Sequence, residues 1–153
     1  MRKCVFLLFA LCIALFYFSN DVNAQNKKSI GLTAGLGFLE EIDYAKVGIE
    51  FNLDLNDHFR FSPSANYYFS SSSSNVSLDG DLNYLIKSSE KLEFFPIAGI
   101  SYIVGDINKF GLNLGFGMQY DLANDFAINA KAKYQLVKNW DDILIGIGLV
   151  KNF

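Results

Sequence analysis

The 153-residue chain has little of what reactive centres are made from: two cysteines, one histidine, one tryptophan and two prolines. Both cysteines, Cys4 and Cys12, lie in an N-terminal segment that reads as removable. Its loss leaves no thiol, which excludes disulfides, thiol catalysis and cysteine metal sites. No metal-ligand spacing and no phosphate-cradling glycine loop is present, so no cofactor is expected. The formal net charge is −3 and no basic block occurs, which argues against a nucleic-acid partner. After Ala24 no apolar run approaches the ~20 residues of a membrane-spanning helix.

The N-terminal segment has the three parts of a secretory signal. Arg2 and Lys3 give the charged start, 5–18 the apolar core, and Val22-Asn23-Ala24 a small-residue cleavage site. Residues 1–24 are expected to be removed, leaving 25–153 as one domain with no linker-like change of composition.

What the chain does have is alternation. In 110–122 (FGLNLGFGMQYDL) seven large apolar residues alternate without a break with glycine and polar residues. A period of two places the apolar set on one face of a β-strand. The run exceeds the roughly 9–11 tilted residues with which a strand crosses a bilayer. The same pattern recurs at 30–38, 45–55, 59–69, 76–86, 92–104, 126–136 and 143–153. On the apolar face of all eight, only Lys151 is charged, near a strand end where a lysine can snorkel. Eight is the smallest usual number for an outer-membrane barrel.

The connections also alternate. Those at 56–58, 89–91 and 123–125 are three residues long, a common tight hairpin in which Asn or Asp tolerates a left-handed conformation. The other four, 39–43, 70–75, 105–109 and 138–142, are longer. Short turns belong on the periplasmic side and long loops outside. Aromatics then fall near the two edges: Phe59, Tyr120 and Phe126 at the inner, Tyr67, Tyr102 and Tyr134 at the outer. This is the place of an aromatic girdle.

Two architectures fit the alternation, a membrane barrel with the apolar face outward and a soluble carrier with it inward. Size favours the first. The alternate face is rich in glycine, as in Gly31, Gly35, Gly37, Gly111, Gly115 and Gly117, and the interior of an eight-stranded barrel is only just wide enough for side chains. The charged residues Lys46, Glu50, Asp54, Arg60, Asp79, Asp81, Lys87, Glu93, Asp121, Lys131 and Lys133 all fall on that inner face. Asp54 and Arg60 flank the first tight turn and Lys87 and Glu93 the second, as cross-strand pairs would. Glu50 and Lys131 lie midway along their strands and could meet across the lumen, with Lys133 and Glu93 as alternatives. A filled polar interior is expected, with a narrow solute path as the rival.

Residues 30–153 resemble the small outer-membrane β-barrels of Gram-negative bacteria, the broad group that includes OmpA- and OmpX-like barrels, and in style the short barrels typical of Bacteroidota. The resemblance rests on the leader, the strand FFPIAGISY, FGLNLGFGMQYDL with the turn AND, and the ending IGIGLVKNF. It implies an all-β, eight-stranded antiparallel up-and-down transmembrane barrel in the outer membrane. It further implies outer-membrane lipid and the barrel-assembly machinery as partners. Phe153, with Gly148 five positions before it, resembles the terminal signal that this machinery reads, although Lys151 departs from its apolar alternation. Some relatives of this size modify lipid with a histidine and a serine near the outer leaflet. Here His58 falls in a periplasmic turn, away from the serine run 70–74, so an enzyme is not expected. The expectation is a monomeric barrel with a structural or cell-surface role.

Overall fold

The computed structural model describes residues 27–38, 43–69, 74–105, 108–122, 125–138 and 141–153. The leader, the serines at 70–73 and Trp140 lie outside them. The described residues form eight antiparallel strands: β1 Lys28–Phe38, β2 Asp43–Asp54, β3 Phe59–Phe69, β4 Ser74–Tyr84 continued by Ile86–Lys87, β5 Leu92–Val104, β6 Lys109–Asp121, β7 Phe126–Val137 and β8 Asp142–Asn152. Each strand pairs with its neighbours in sequence, and β1 pairs with β8, so the sheet closes on itself without an edge. Closure removes the unpaired backbone groups that lipid could not satisfy.

The register fixes the shape. Lys28 pairs with Leu53, Leu53 with Phe61, Phe61 with Leu82, Leu82 with Ala98 and Ala98 with Leu114. Leu114 pairs with Tyr134, Tyr134 with Ile143, and Ile143 with Phe38. One circuit therefore returns to β1 displaced from residue 28 to residue 38. With a rise of about 3.4 Å per residue and strands about 4.8 Å apart, this stagger tilts the strands by about 42°. The two ends of the wall then stand about 25 Å apart, the height of the apolar band of such barrels.

The two prolines leave their mark on the ladder. Pairing between β2 and β3 lapses between Glu50–Ser64 and Leu53–Phe61, opposite Pro63. Pairing between β4 and β5 lapses between Asn83–Ile97 and Ile86–Phe94, opposite Pro96. Proline has no amide hydrogen to donate. The register is the same on both sides of each gap, so neither is a bulge.

The tight turns use three closures. Asn56 Oδ1 accepts hydrogen bonds from the backbone of His58 and Phe59 at 2.8 and 2.9 Å. Ser89 Oγ does the same for Leu92 N at 3.2 Å. In the third turn Asp125 takes φ 64°, the only non-glycine positive φ among the described residues. The left-handed closure expected of Asn and Asp thus occurs at Asp125, while side-chain acceptors shape the other two turns.

At the opposite end the strands run further than the alternation of apolar residues indicates. Asp43, Asn75, Lys109 and Asp142 continue the pairing, opposite Phe38, Tyr68, Ile103 and Gln135. All four loops are accordingly shorter than expected, each at its C-terminal end. Asn75, Lys109 and Asp142 are on the lumen face, and a polar residue so placed at a strand end reads in sequence like a loop residue.

Candidate functional site

The outer face is apolar and exposed on every strand, and the site that remains is the lumen. Phe59, Tyr120 and Phe126 stand outward near the tight turns, and Tyr67, Tyr102 and Tyr134 outward near the other end. Lys151 also points outward, its Nζ 5.9 Å from the Phe126 ring centre. Phe153 is exposed at the chain end, and Gly148 is paired with Thr33 and Asn129 in the wall.

Inside, the charges form two groups. Nearest the tight turns, Arg60 Nε lies 2.5 Å from Asp54 Oδ1 and its Nη1 2.8 Å from Glu93 Oε1. Arg60 also donates to Gln119 Oε1 at 3.2 Å, and Gln119 donates to Asp121 Oδ1 at 3.2 Å. Midway along the wall, Lys131 Nζ binds Glu50 Oε2. One rung higher, Lys133 Nζ lies 2.8 Å from Asp81 Oδ2 and 3.2 Å from Asp79 Oδ2. Amides brace these carboxylates: Asn113 donates to Asp81 Oδ1 at 2.9 Å and Asn66 to Asp79 Oδ2 at 3.1 Å.

The structure therefore brings Glu50 to Lys131 and Asp54 to Arg60. It does not join Lys87 to Glu93. Their backbones are in register, but Glu93 turns to Arg60, and Lys87 stays at the exposed strand end. The reason is the tilt, which raises the inward side of β3 to meet the start of β5.

A neutral relay joins four strands below the central charges. Asn83 donates to Ser62 Oγ at 2.7 Å, Ser62 to Asn52 Oδ1 at 2.6 Å, and Asn52 to Ser29 Oγ at 3.1 Å. Nearer the other end, Gln135 donates to Ser101 Oγ and Asn113 Oδ1 at 2.8 and 3.1 Å. Such chains satisfy buried polar groups that would otherwise be costly.

The interior is not wholly polar, contrary to the expectation from sequence. Tyr44, Tyr68 and Leu144 cluster toward the loop end, and Leu85, Phe95 and Ile97 toward the turn end. Two glycines make room for the rings. A Cβ at Gly117 would lie 2.3 Å from Phe95 Cε2, and one at Gly37 would lie 2.1 Å from Tyr44 Cζ. Each ring occupies the space beside the bare backbone of the glycine paired with it. The sequence signal was present: a large apolar residue on the inner face of one strand opposite glycine on the next.

Beside the central charges the lumen keeps a cavity of about 30 Å³, lined by Lys46, Glu50, Ser64, Asn66, Lys131 and Lys133 among others. That is room for about one water. Among the described residues no cluster of His, Cys, Asp and Glu is arranged to hold a metal. His58 is exposed in its turn with its ring stacked on Tyr84, centres 5.9 Å apart.

No protein-family model and no curated protein sequence matches this chain. Solved structures do. The chain resembles Neisserial surface protein A at a TM-score of 0.68 and 14% identity, covering 85% of this chain and 98% of that one. It resembles the N-terminal β-barrel domain of Pseudomonas aeruginosa OprF at 0.65 and 19%, covering 84% and 100%. It resembles Ail, the attachment invasion locus protein of Yersinia pestis, at 0.59 and 11%, covering 84% and 99%. The shared feature is the fold, that of the small outer-membrane β-barrel.

Proposed function

We propose that this chain is an integral outer-membrane barrel with an interior closed to solutes, which serves as a structural element and a platform for surface interactions, without catalysis. The observation that carries the reading is the filling of the lumen. Two ion-pair groups and two apolar clusters occupy it, and the cavity beside Lys46, Glu50, Lys131 and Lys133 has room for about one water. The eight-stranded size supports the same reading, because barrels of this size are filled by their own side chains.

The absence of catalysis is supported by distance. His58 stacks on Tyr84 at one end of β4, and Ser74 begins β4 at the other. Ten residues of strand, about 33 Å, separate Ser74 from Tyr84. General-base work needs hydrogen-bond reach. Residues 1–24 would export the chain and be cleaved, and the strand ending in Phe153 would be read by the barrel-assembly machinery. The barrel would be monomeric.

Planar-bilayer recording on the purified barrel tests the central claim. No steady single-channel current is expected. A stable open current would replace the closed interior with a narrow solute path. Fractionation tests location: a heat-modifiable band in the outer membrane is expected, whereas a soluble periplasmic pool would favour a ligand carrier. A pull-down from intact cells through a tag in an external loop would identify the surface partner.

A further inference from the structure

The outer face is not uniformly convex. A groove of about 800 Å³ crosses it diagonally, with almost entirely apolar walls. The register explains its course. One wall is the rung Ile128–Leu149–Leu32–Ile49, in which each residue pairs with the next. The other is Ile147–Ala34–Val47–Tyr67. The floor is the intervening rung Gly148–Thr33–Gly48, whose side chains are small or absent and point to the lumen. Leu32 and Ile147 are 66% and 65% exposed, the most of any large apolar residue within the strands, because Ala34 beside them leaves their flanks bare.

One rung below the groove, on its turn-side end, lies Phe126–Lys151–Ile30. From Ile30 onward, Lys151 is the only charged residue on the outward faces of β1, β7 and β8, the three strands at that end of the groove. Its ammonium is held 5.9 Å from the Phe126 ring centre, a cation–π distance, and the Phe126–Lys151 pair is the rung next to the wall pair Ile128–Leu149. Lys28 lies at the same edge, where its carbonyl accepts from Phe153 N. A cation at the membrane boundary can snorkel to water without a ligand. Here it instead stands at the end of an apolar channel that climbs into the hydrocarbon layer.

We infer that this groove and Lys151 form a binding site for one anionic phospholipid of the periplasmic leaflet, its phosphate on Lys151 and an acyl chain between the two rungs. Charge complementarity selects the occupant: one cation at headgroup level, followed by walls without charge. The inference rests on the outer-membrane reading above.

Native mass spectrometry of the full-length barrel in mild detergent tests it, with phosphatidylglycerol as the anionic probe and phosphatidylcholine as the zwitterionic one. Wild type is expected to retain one phosphatidylglycerol in preference to phosphatidylcholine. Lys151→Gln should weaken phosphatidylglycerol retention about fivefold, the loss of one partly exposed charge contact, and abolish the preference. Ala34→Phe, which fills the groove, should weaken both lipids. Retention in both variants equal to that of wild type would overturn the site. Insertion into vesicles is scored in parallel by heat-modifiable mobility. A wild type that fails to insert overturns the outer-membrane reading, whereas normal insertion with indifferent lipid retention overturns the site alone.

Discussion

Lys133 holds the interior's most concentrated charge, and its replacement by methionine is the sharpest test of how the lumen is stabilised. Its ammonium bridges Asp79 and Asp81 at 3.2 and 2.8 Å, and all three side chains are buried. Methionine keeps an unbranched side chain and removes the charge, which leaves two carboxylates facing each other with only Asn66 and Asn113 as donors. Breaking a buried pair in this way costs about 3–5 kcal/mol. Lys46 lines the same cavity as Lys133, and that cavity has room for about one water. Both can respond to the uncovered charge, so the lower figure, about 3 kcal/mol, applies. With a urea dependence of about 2 kcal/mol/M, the unfolding midpoint in phospholipid vesicles should fall by about 1.5 M. Lys133→Met combined with Asp79→Asn and Asp81→Asn should recover part of that loss, because no uncovered carboxylate remains beside the lost cation. A single variant whose midpoint stays within about 0.2 M of wild type would refute the reasoning. So would a triple variant as unstable as the sum of its parts.

Glu50→Gln and Lys131→Met should each lower the same midpoint, and together show a coupling of about 1–3 kcal/mol in a double-mutant cycle, since they share one contact. Gly117→Ala should destabilise by about 1–3 kcal/mol, because its Cβ would meet the Phe95 ring; Phe95→Leu in the same chain should relieve part of this in urea titrations. Deleting Phe153, an exposed side chain at the end of the last strand, should slow assembly in cells, measured by pulse-chase of the heat-modifiable form. Its unfolding midpoint should shift little, and assembly at the wild-type rate would argue against a terminal signal.

Much of the fold was legible because a period of two survives tertiary context. Once one face of 110–122 is assigned to lipid, every other strand inherits its orientation, since a slip of one residue would turn all its side chains over. The ends were harder to read. Tyr44, Asn75, Lys109 and Asp142 carry the strands outward, yet polar or amphipathic residues facing a lumen resemble those of a loop. The inner contacts divided in the same way. Asp54 and Arg60 meet because a hairpin places them opposite each other. Glu93 has a hairpin neighbour too, in Lys87, and leaves it for Arg60. That choice depends on the ten-residue displacement between Lys28 and Phe38 around the barrel. Alternation constrains the parity of such a displacement and says nothing of its size.

This difference shows what the interior contributes to the fold. The outer apolar face is matched to lipid wherever it lies, so a strand that slips by two residues keeps every Leu, Ile and Phe outside. Hydrocarbon would hardly distinguish the slipped barrel from the correct one. The lumen distinguishes them sharply. A two-residue shift of β7 would carry Lys133 about 7 Å along its strand, away from Asp79 and Asp81, and would draw Lys131 off Glu50. It would also move the bare backbone of Gly117 out from under Phe95 if β6 followed. Each loss would leave a buried charge or a ring without its place, at a cost of a few kcal/mol. The charges inside are therefore best understood as the registry of the barrel: the apolar face makes closure favourable in a membrane, and the inner pairs decide which closure forms.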